Sequence, residues 1–380
     1  MKIAIIGGGV FGTVIALRLA EIGESVTIFE RRDALLQGAS AHANRLHQGF
    51  HYPRDDETAR QCQRGYLEFR SKFEAAILKN VSNAYFIAKH GSLTSPSEYL
   101  AFCRRHGLDY EEVDPAGFAP PVTNVALGIT TNEVMYDVDI LRRLIIERLG
   151  RLRVTTQLKS EVTDVSRGRY SGFELTLARG SQLRFDAVIN CCYAGANRLN
   201  ARLGHRLEKR QYEYVAVPVI EADWHGPVSI TILDGLFMCL LPLGQRGRYL
   251  LYQVEHCVID RDDSAILDES WFDPHTSPFA LTSKERWFQR QLASCCEFLP
   301  ALRTASLEGI LQGPRVVLAD HEDTDARPSF VTQHEPGYLS VFSGKVSHCV
   351  EIADEVAARL GRRPTAGTRE EDRGSSLSAG

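Results

Sequence analysis

The sequence predicts an α/β fold in which a Rossmann-like, parallel-sheet domain is interleaved with a mostly antiparallel α+β domain. Three observations carry this. The first thirty residues read as strand, glycine turn, helix and strand. A second buried-type strand, Asp186-Ala187-Val188-Ile189-Asn190-Cys191-Cys192, comes only after a long intervening region. Between Tyr212 and His256, four strand candidates follow one another with short glycine-bearing turns, the pattern of an antiparallel meander.

Ile3, Ala4, Ile5 and Ile6 form the first strand, and Gly7, Gly9 and Gly12, with Val10 and Phe11 between the last two, give the spacing G-x-G-x-x-G. Val14, Ile15, Ala16, Leu19, Ala20 and Ile22 continue at helical spacing, and Gly23 is placed to stop that helix. Val26 to Phe29 make the second strand, with Glu30 at its tip. Gly7 permits the tight turn, Gly9 lets backbone approach a pyrophosphate, and Gly12 lets helix and strand pack closely. The helix N-terminus attracts phosphate charge, and Glu30 accepts hydrogen bonds from ribose hydroxyls. Glycines at this spacing also mark ordinary βαβ turns. Strand, helix, second strand and acid in succession select the dinucleotide reading.

The chain has 380 residues, is 44% hydrophobic and 24% charged, and carries a formal charge of −4. That supports a large core and two domains. So balanced a charge gives no electrostatic case for nucleic acid or an anionic membrane. No apolar run is long enough to span a bilayer, and with the glycine strand starting at Met1 no cleavable signal peptide is expected. The nine cysteines include the pairs Cys191-Cys192 and Cys295-Cys296, but no C-x-x-C and no Cys/His metal spacing. Reduced thiols in a cytoplasmic protein, and no metal site, are expected.

After Glu30 the chain does not proceed to another crossover. It enters a polar, histidine-rich stretch that includes Ser40, His42, Asn44, His47, His51 and Tyr52, followed by a helix expected over 56–79. Polar chemistry placed directly after the ribose-binding acid suits an extended cofactor whose second half lies along it, which favours FAD over NAD. Arg31 and Arg32 leave a 2′-phosphate, and hence NADP, as an alternative to two solvated arginines.

Residues 83–89 read as a strand. Ser95-Pro96-Ser97-Glu98 starts a helix with a capping box and Pro at its first position, and Asp137 caps another running to about Leu149. Residues 153–156, 161–166, 172–178 and 182–184 alternate like a small antiparallel sheet. The strand 186–192 then runs into Tyr193-Ala194-Gly195-Ala196-Asn197, a small-residue turn open to a cofactor. After the meander come a helix over 284–296, a strand pair flanking Gly313-Pro314-Arg315, and a final strand over 338–342. Ser343-Gly344-Lys345 breaks that strand before a helix to about Leu360. These parts divide into a cofactor domain of residues 1–80, 137–205 and 310–361, a substrate domain of 81–136 and 206–309, and a tail, 362–380, whose composition predicts disorder.

This order of parts resembles the D-amino-acid oxidase and glycine oxidase superfamily of FAD-dependent oxidoreductases, through residues 7–30, 186–195 and 337–353. Residues 38–52 resemble the post-ribose motif of 2-hydroxyglutarate and glycine oxidases. The resemblance spans nearly the whole chain. It implies a flavin ring at the junction of two domains. It also implies hydride transfer to FAD from a C–N or C–O bond of a small polar substrate, with reoxidation by oxygen or another acceptor. Mapped onto this sequence, Gly7, Gly9, Val10, Phe11, Gly12 and Glu30 take the adenosine and pyrophosphate, with Arg31 on the adenine side. Ser40, His42 and Asn44 run along the pyrophosphate and ribityl chain, Val162 meets adenine through its backbone, and Ala194 and Gly195 form the small-residue turn. Ser343, Gly344, Lys345 and Val346 face the flavin pyrimidine ring, where amides and the Lys345 ammonium stabilise the charge of reduced flavin. The family's carboxylate clamp falls on Arg315, with Arg327 as competitor. The residues that follow, Val316-Val317-Leu318-Ala319-Asp320, depart from the family's Pro and Thr-Pro-Asp. His42 has only part of the W-H-A-A-G motif of covalently flavinylated relatives, so dissociable FAD is expected.

His51 and Tyr52, ahead of His47, are candidates for contact with flavin or substrate, against a polar loop whose histidines satisfy backbone carbonyls. An alcohol substrate would need a base, and His51 is placed for it. Lys345 is weighed against a solvated lysine at a helix start. Cys191 and Cys192 read as small buried hydrophobes rather than redox thiols. An NAD(P)-dependent dehydrogenase and a non-catalytic flavin-binding protein are the alternative functions.

Overall fold

Ile3, Ala4 and Ile5 are fully buried in the computed structural model, which describes residues 1–38, 44–224, 226–244, 247–319 and 326–361. Their strand, Lys2–Ile6, therefore sits inside a sheet. It pairs in parallel with Ser25–Phe29 on one side, Ile3 opposite Val26, and with Ala187–Asn190 on the other, Ile3 opposite Ala187. The full order is Phe330–Glu335, Tyr338–Phe342, Ala187–Asn190, Lys2–Ile6, Ser25–Phe29, Thr155–Gln157. Only the hairpin of Phe330–Glu335 with Tyr338–Phe342 is antiparallel.

Alternation puts Ile3 and Ile5 on one face, against the helices Val10–Glu21 and Cys349–Arg359, in a core that includes Ile15, Leu19, Ile352 and Val356. Ala4 and Ile6 face the other way, onto Val165, Leu175 and Phe185. Those belong to a three-stranded antiparallel sheet of Val162–Arg167, Phe173–Leu177 and Gln182–Phe185. The first of the four segments expected there is instead the edge strand Thr155–Gln157 of the parallel sheet. It leaves the helix Val138–Arg151 through Val154, which packs on the helical face and delivers the chain parallel to Ser25–Phe29.

The second lobe is a nine-stranded sheet. Arg210–Glu221, Arg248–Gln253, Met238–Pro242 and Val228–Leu233 are antiparallel neighbours, the expected meander. Val228–Leu233 then pairs in parallel with Ser82–Ala88, which extends the sheet to Val125–Thr131 and Tyr110–Glu112. In place of a strand pair flanking Gly313-Pro314-Arg315 there is one strand, Ser306–Leu318, paired along Arg210–Glu221 from Leu318 opposite Arg210 to Ser306 opposite Glu221. Among the described residues it has a single strand partner, so Pro314, which lacks an N–H, can sit on the edge away from that partner. Residues 310–318 thus belong to the large sheet, not to the cofactor domain.

The capping box at Ser95 and Glu98 is formed, and the Asp137 side chain accepts from the amides of Asp139 and Ile140. The helix expected over 56–79 ends at Phe73, followed by a 3-10 turn Glu74–Ala76. There the Ala76 carbonyl takes the Asp137 amide and Ile77 bridges Tyr136, drawing the backbone out of the helix. All nine cysteines are unpaired thiols. No helix among the described residues is long and apolar enough to cross a membrane. Ser40, His42 and the tail 362–380 lie outside the described residues.

Candidate active site

Strand order reverses at Lys2–Ile6, because the next strand in sequence lies on one side of it and Ala187–Asn190 on the other. Such a switch point opens a crevice beyond the carboxyl ends of the strands. Gly7 has a φ of +106°, and a Cβ there would meet the Cys191 carbonyl oxygen at 2.5 Å. A Cβ on Gly12 would lie 2.0 Å from the Gly7 carbonyl oxygen, whereas Gly9 faces nothing within 4 Å. Two of the three glycines therefore serve packing. The third, as N-cap of the helix, leaves open space in front of the first-turn amides, among them those of Val10 and Phe11.

Glu30 closes the other side of this cradle. Its Oε2 accepts from the Gly8 amide and its Oε1 from the Arg32 amide, both at 2.8 Å. Each oxygen keeps a lone pair for a ribose hydroxyl. The Arg32 guanidinium donates to the Gln37 carbonyl at 2.7 Å, and that of Arg31 lies 4.1 Å over the Phe272 ring. The Ser160 amide donates to the Glu30 carbonyl at 2.9 Å, which brings Val162 to the same edge. Ala194 is buried, and Gly195 leads into the helix Ala196–Arg202 beside the crevice. The open space at Gly9 and the lone pairs of Glu30 fit the pyrophosphate and ribose of a dinucleotide.

Further along, Gly49, with a φ of +117°, reverses the chain, and the Tyr52 amide donates to its carbonyl at 2.9 Å. The reversal gathers three rings. The His47 and His51 centres are 5.3 Å apart, and they lie 5.5 and 5.3 Å from that of Tyr52. Lys345 Nζ, from the far end of the chain, stands 4.9 Å from the Tyr52 ring centre. Burial first, and Lys345 second, hold both imidazoles well below their ordinary value. Both are neutral at pH 7. Asn44 is fully buried, and its Nδ2 donates to the carbonyls of Pro242 and Tyr136 at 2.7 and 3.2 Å. It bridges the two lobes, and its Oδ1 has no hydrogen-bond partner among the described residues.

Ser343, Gly344 and Lys345 link the strand Tyr338–Phe342 to the 3-10 turn Val346–His348. A Cβ on Gly344 would lie 2.1 Å from the Arg327 carbonyl oxygen, so glycine is required there. The Gly344 and Lys345 amides donate to Ser329 Oγ at 2.8 and 3.4 Å. This corrects the expectation that those amides face the flavin: a side chain within the protein takes them.

Arg315 is also placed differently from expectation. Its Nε donates to Glu213 Oε2 at 2.8 Å and its Nη2 bonds the same oxygen, while Arg261 Nε reaches Oε1 at 3.4 Å. Burial works against the Glu213 charge, but Arg315, Arg327 and Arg261 outweigh it and hold the carboxyl below its usual range. The fork expected to grip a substrate carboxylate is thus engaged by one from the protein. Arg327 stands closer to the histidines. Its amide donates to Thr58 Oγ1 at 3.1 Å, its carbonyl packs on Gly344, and its charge acts on His51.

Beneath His47 lies a network that sequence reasoning did not assemble. The side chains of Arg45 and Glu133 are 2% and 0% exposed, with Nε and Oε2 3.6 Å apart. Arg45 donates to the hydroxyls of Tyr85, Thr231 and Ser229. Glu133 accepts from the Tyr85 hydroxyl and from the Gln48 amide, and its Oε1 is 3.8 Å from His47 Nδ1. Burial pushes the Glu133 carboxyl up, with Arg45 pulling against it. Ser329 and His348 form a second unpredicted pair, Oγ to Nδ1 at 2.9 Å. The only sequence signal for the first network was an arginine inside the histidine-rich stretch. Glu133 carries no motif, and meets Arg45 only because Arg45–Leu46 pairs with Val134–Met135.

A family model described as FAD dependent oxidoreductase (DAO) matches residues 2–346. The chain belongs to the DAO family. It is an FAD-dependent oxidoreductase. It is 25% identical over 388 residues to the FAD-dependent monooxygenase kojA of Aspergillus flavus, covering 94% of this chain and 85% of that protein. Among solved structures it is similar to glycine oxidase from Geobacillus kaustophilus, at 18% identity over 96% of each chain with a TM-score of 0.72. It is also similar to L-proline dehydrogenase from P. horikoshii, at 15% identity over 96% of this chain and 94% of that one, with a TM-score of 0.72. At these identities the likeness to the solved structures is one of fold.

Proposed function

We propose that this member of the DAO family oxidises the C–N bond of a small amine or amino acid that carries a carboxylate. The observation that carries the reading is the neutral His51 beside Tyr52, with the Lys345 ammonium 4.9 Å from the Tyr52 ring centre and the charges of Lys345 and Arg327 acting on His51. FAD supplies the hydride acceptor. Arg327, ahead of the Glu213-bound Arg315, orients the substrate carboxylate, because a guanidinium fork fixes direction as well as affinity. His51 Nδ1, buried and without a hydrogen-bond partner among the described residues, receives the proton from the substrate nitrogen. Lys345 stabilises negative charge as it develops beside Tyr52. Glycine oxidase and L-proline dehydrogenase, named for amino acids, support this substrate class.

A neutral His51 suits a 2-hydroxy acid as well, whose O–H needs a base, and this is the second reading. Oxygen or another acceptor completes the cycle. Nine unpaired thiols support a reducing, cytoplasmic setting. The test is anaerobic mixing of the yellow protein with panels of amino acids, amines and 2-hydroxy acids. Bleaching by one class without any added reductant is expected. Substrate oxidation that demands NAD(P)H and oxygen would replace this reading with the monooxygenase chemistry for which kojA is named.

A further inference from the structure

We propose that Phe272, on a segment reaching over from the large-sheet lobe, closes the adenosine end of the FAD site by holding Arg31 in place. The segment lies between the strand Val258–Asp262 and the helix Lys284–Cys296, and turns through the 3-10 helix Glu269–Phe272, capped by Asp268 onto the Ser270 amide. Its outward bonds run to the cofactor lobe. The buried Asn197 donates to the Ala265 carbonyl at 2.9 Å, Arg198 donates to the Leu267 carbonyl at 3.1 Å, and Arg198 also pairs with Glu269. Trp271 is the anchor on its own side, buried and edge-on to Tyr214 with ring centres 5.7 Å apart. Besides packing on the core of its own lobe, the Phe272 ring reaches two residues of the cofactor lobe between these anchors. The Arg31 guanidinium lies 4.1 Å above it, and a Cβ on Gly195 would come within 3.8 Å of its Cζ.

Those two contacts stand at the tips of Ser25–Phe29 and Ala187–Asn190, the strands on either side of the glycine loop. The ring therefore spans the mouth of the crevice on the side of Glu30, where the ribose hydroxyls belong. A guanidinium stacked on one face by an aromatic ring keeps its rim of N–H donors and its other face for a ligand. An unsupported arginine at the end of a strand would instead be spread over many rotamers. Phe272 is thus a positioning residue for Arg31, and the lobe carrying the large sheet takes part in retaining the dinucleotide.

The holoenzyme tests this directly. FAD release after dilution is followed by the rise in flavin fluorescence, alongside the visible flavin spectrum. Phe272→Ala is expected to release FAD about 2- to 5-fold faster, the range of an exposed cation–π contact. Its flavin spectrum at saturating FAD should match that of the parent, and Phe272→Tyr should restore slow release. Arg31→Met should accelerate release by a similar factor, with the double variant no faster than either single one. If Phe272→Ala does not fold, Phe272→Leu and Arg31→Met carry the comparison. Unchanged release in Arg31→Met, additive effects in the double variant, or a shifted flavin spectrum would each overturn the proposal.

Discussion

Lys345 and His348 sit three positions apart on one turn and meet opposite surroundings. Lys345 stands over the Tyr52 ring, beside two imidazoles that its charge helps keep neutral. Lys345→Met should slow anaerobic bleaching by roughly 10- to 100-fold with FAD content unchanged, since the partner charge arises only as the reaction proceeds. Rapid-mixing absorbance against substrate concentration checks it, and a change confined to the Michaelis constant would count against the role. His348 is buried between Cys62 Sγ and Ser329 Oγ, and burial first, then Lys345 and Arg64, push it down to about 3. An unfolded histidine takes its proton near 6.5, so between these values the unfolded chain binds more protons than the folded one. Stability is full above pH ~6.5 and falls by up to about 1.4 kcal/mol for each pH unit below it. Urea unfolding from pH 7 to 4 should show this acid loss, and His348→Gln should make the slope shallower by about one proton.

The glycine turn shows how a single element divides its labour. Gly12 is pressed against the Gly7 carbonyl, while Gly9 looks into open space. Gly12→Ala should therefore cost about 3 kcal/mol or prevent folding. Gly9→Ala should leave the unfolding midpoint of flavin-free protein within about 0.5 kcal/mol of the parent, yet yield colourless protein. Absorbance ratios and chemical unfolding of the two variants separate these effects. This element was legible from sequence because everything that defines it is local: strand, turn, helix and acid lie within thirty residues. The capping box at Ser95 was legible for the same reason. The Ser306–Leu318 strand was not. A Gly-Pro step inside it reads as a break, and only the long pairing with Arg210–Glu221 keeps it straight. The role of Arg315 was misjudged likewise, because Glu213 faces it across that same pairing, Glu213 opposite Arg315.

At the scale of the whole molecule, the two lobes are fastened by polar groups that no local pattern could reveal. Asn44 reaches Pro242, and the buried Arg45 reaches Ser229, Thr231 and Glu133. Removing one partner of such a pair strands a charge in the interior. Glu133→Ala should lower unfolding stability by about 3–5 kcal/mol, whereas Glu133→Gln, which keeps an acceptor for Gln48 and Tyr85, should cost less. Denaturant midpoints of the two variants compare them directly. The interleaving of the lobes also has a temporal meaning. A growing polypeptide exposes the glycine turn first, but its neighbour Ala187–Asn190 emerges much later, and Tyr338–Phe342, which completes that flank, later still. Until then the ribosome holds a dinucleotide crevice with one wall missing. A polypeptide cut short before Tyr338 therefore lacks a strand of the sheet that flanks the glycine turn, however complete the turn and Glu30 are.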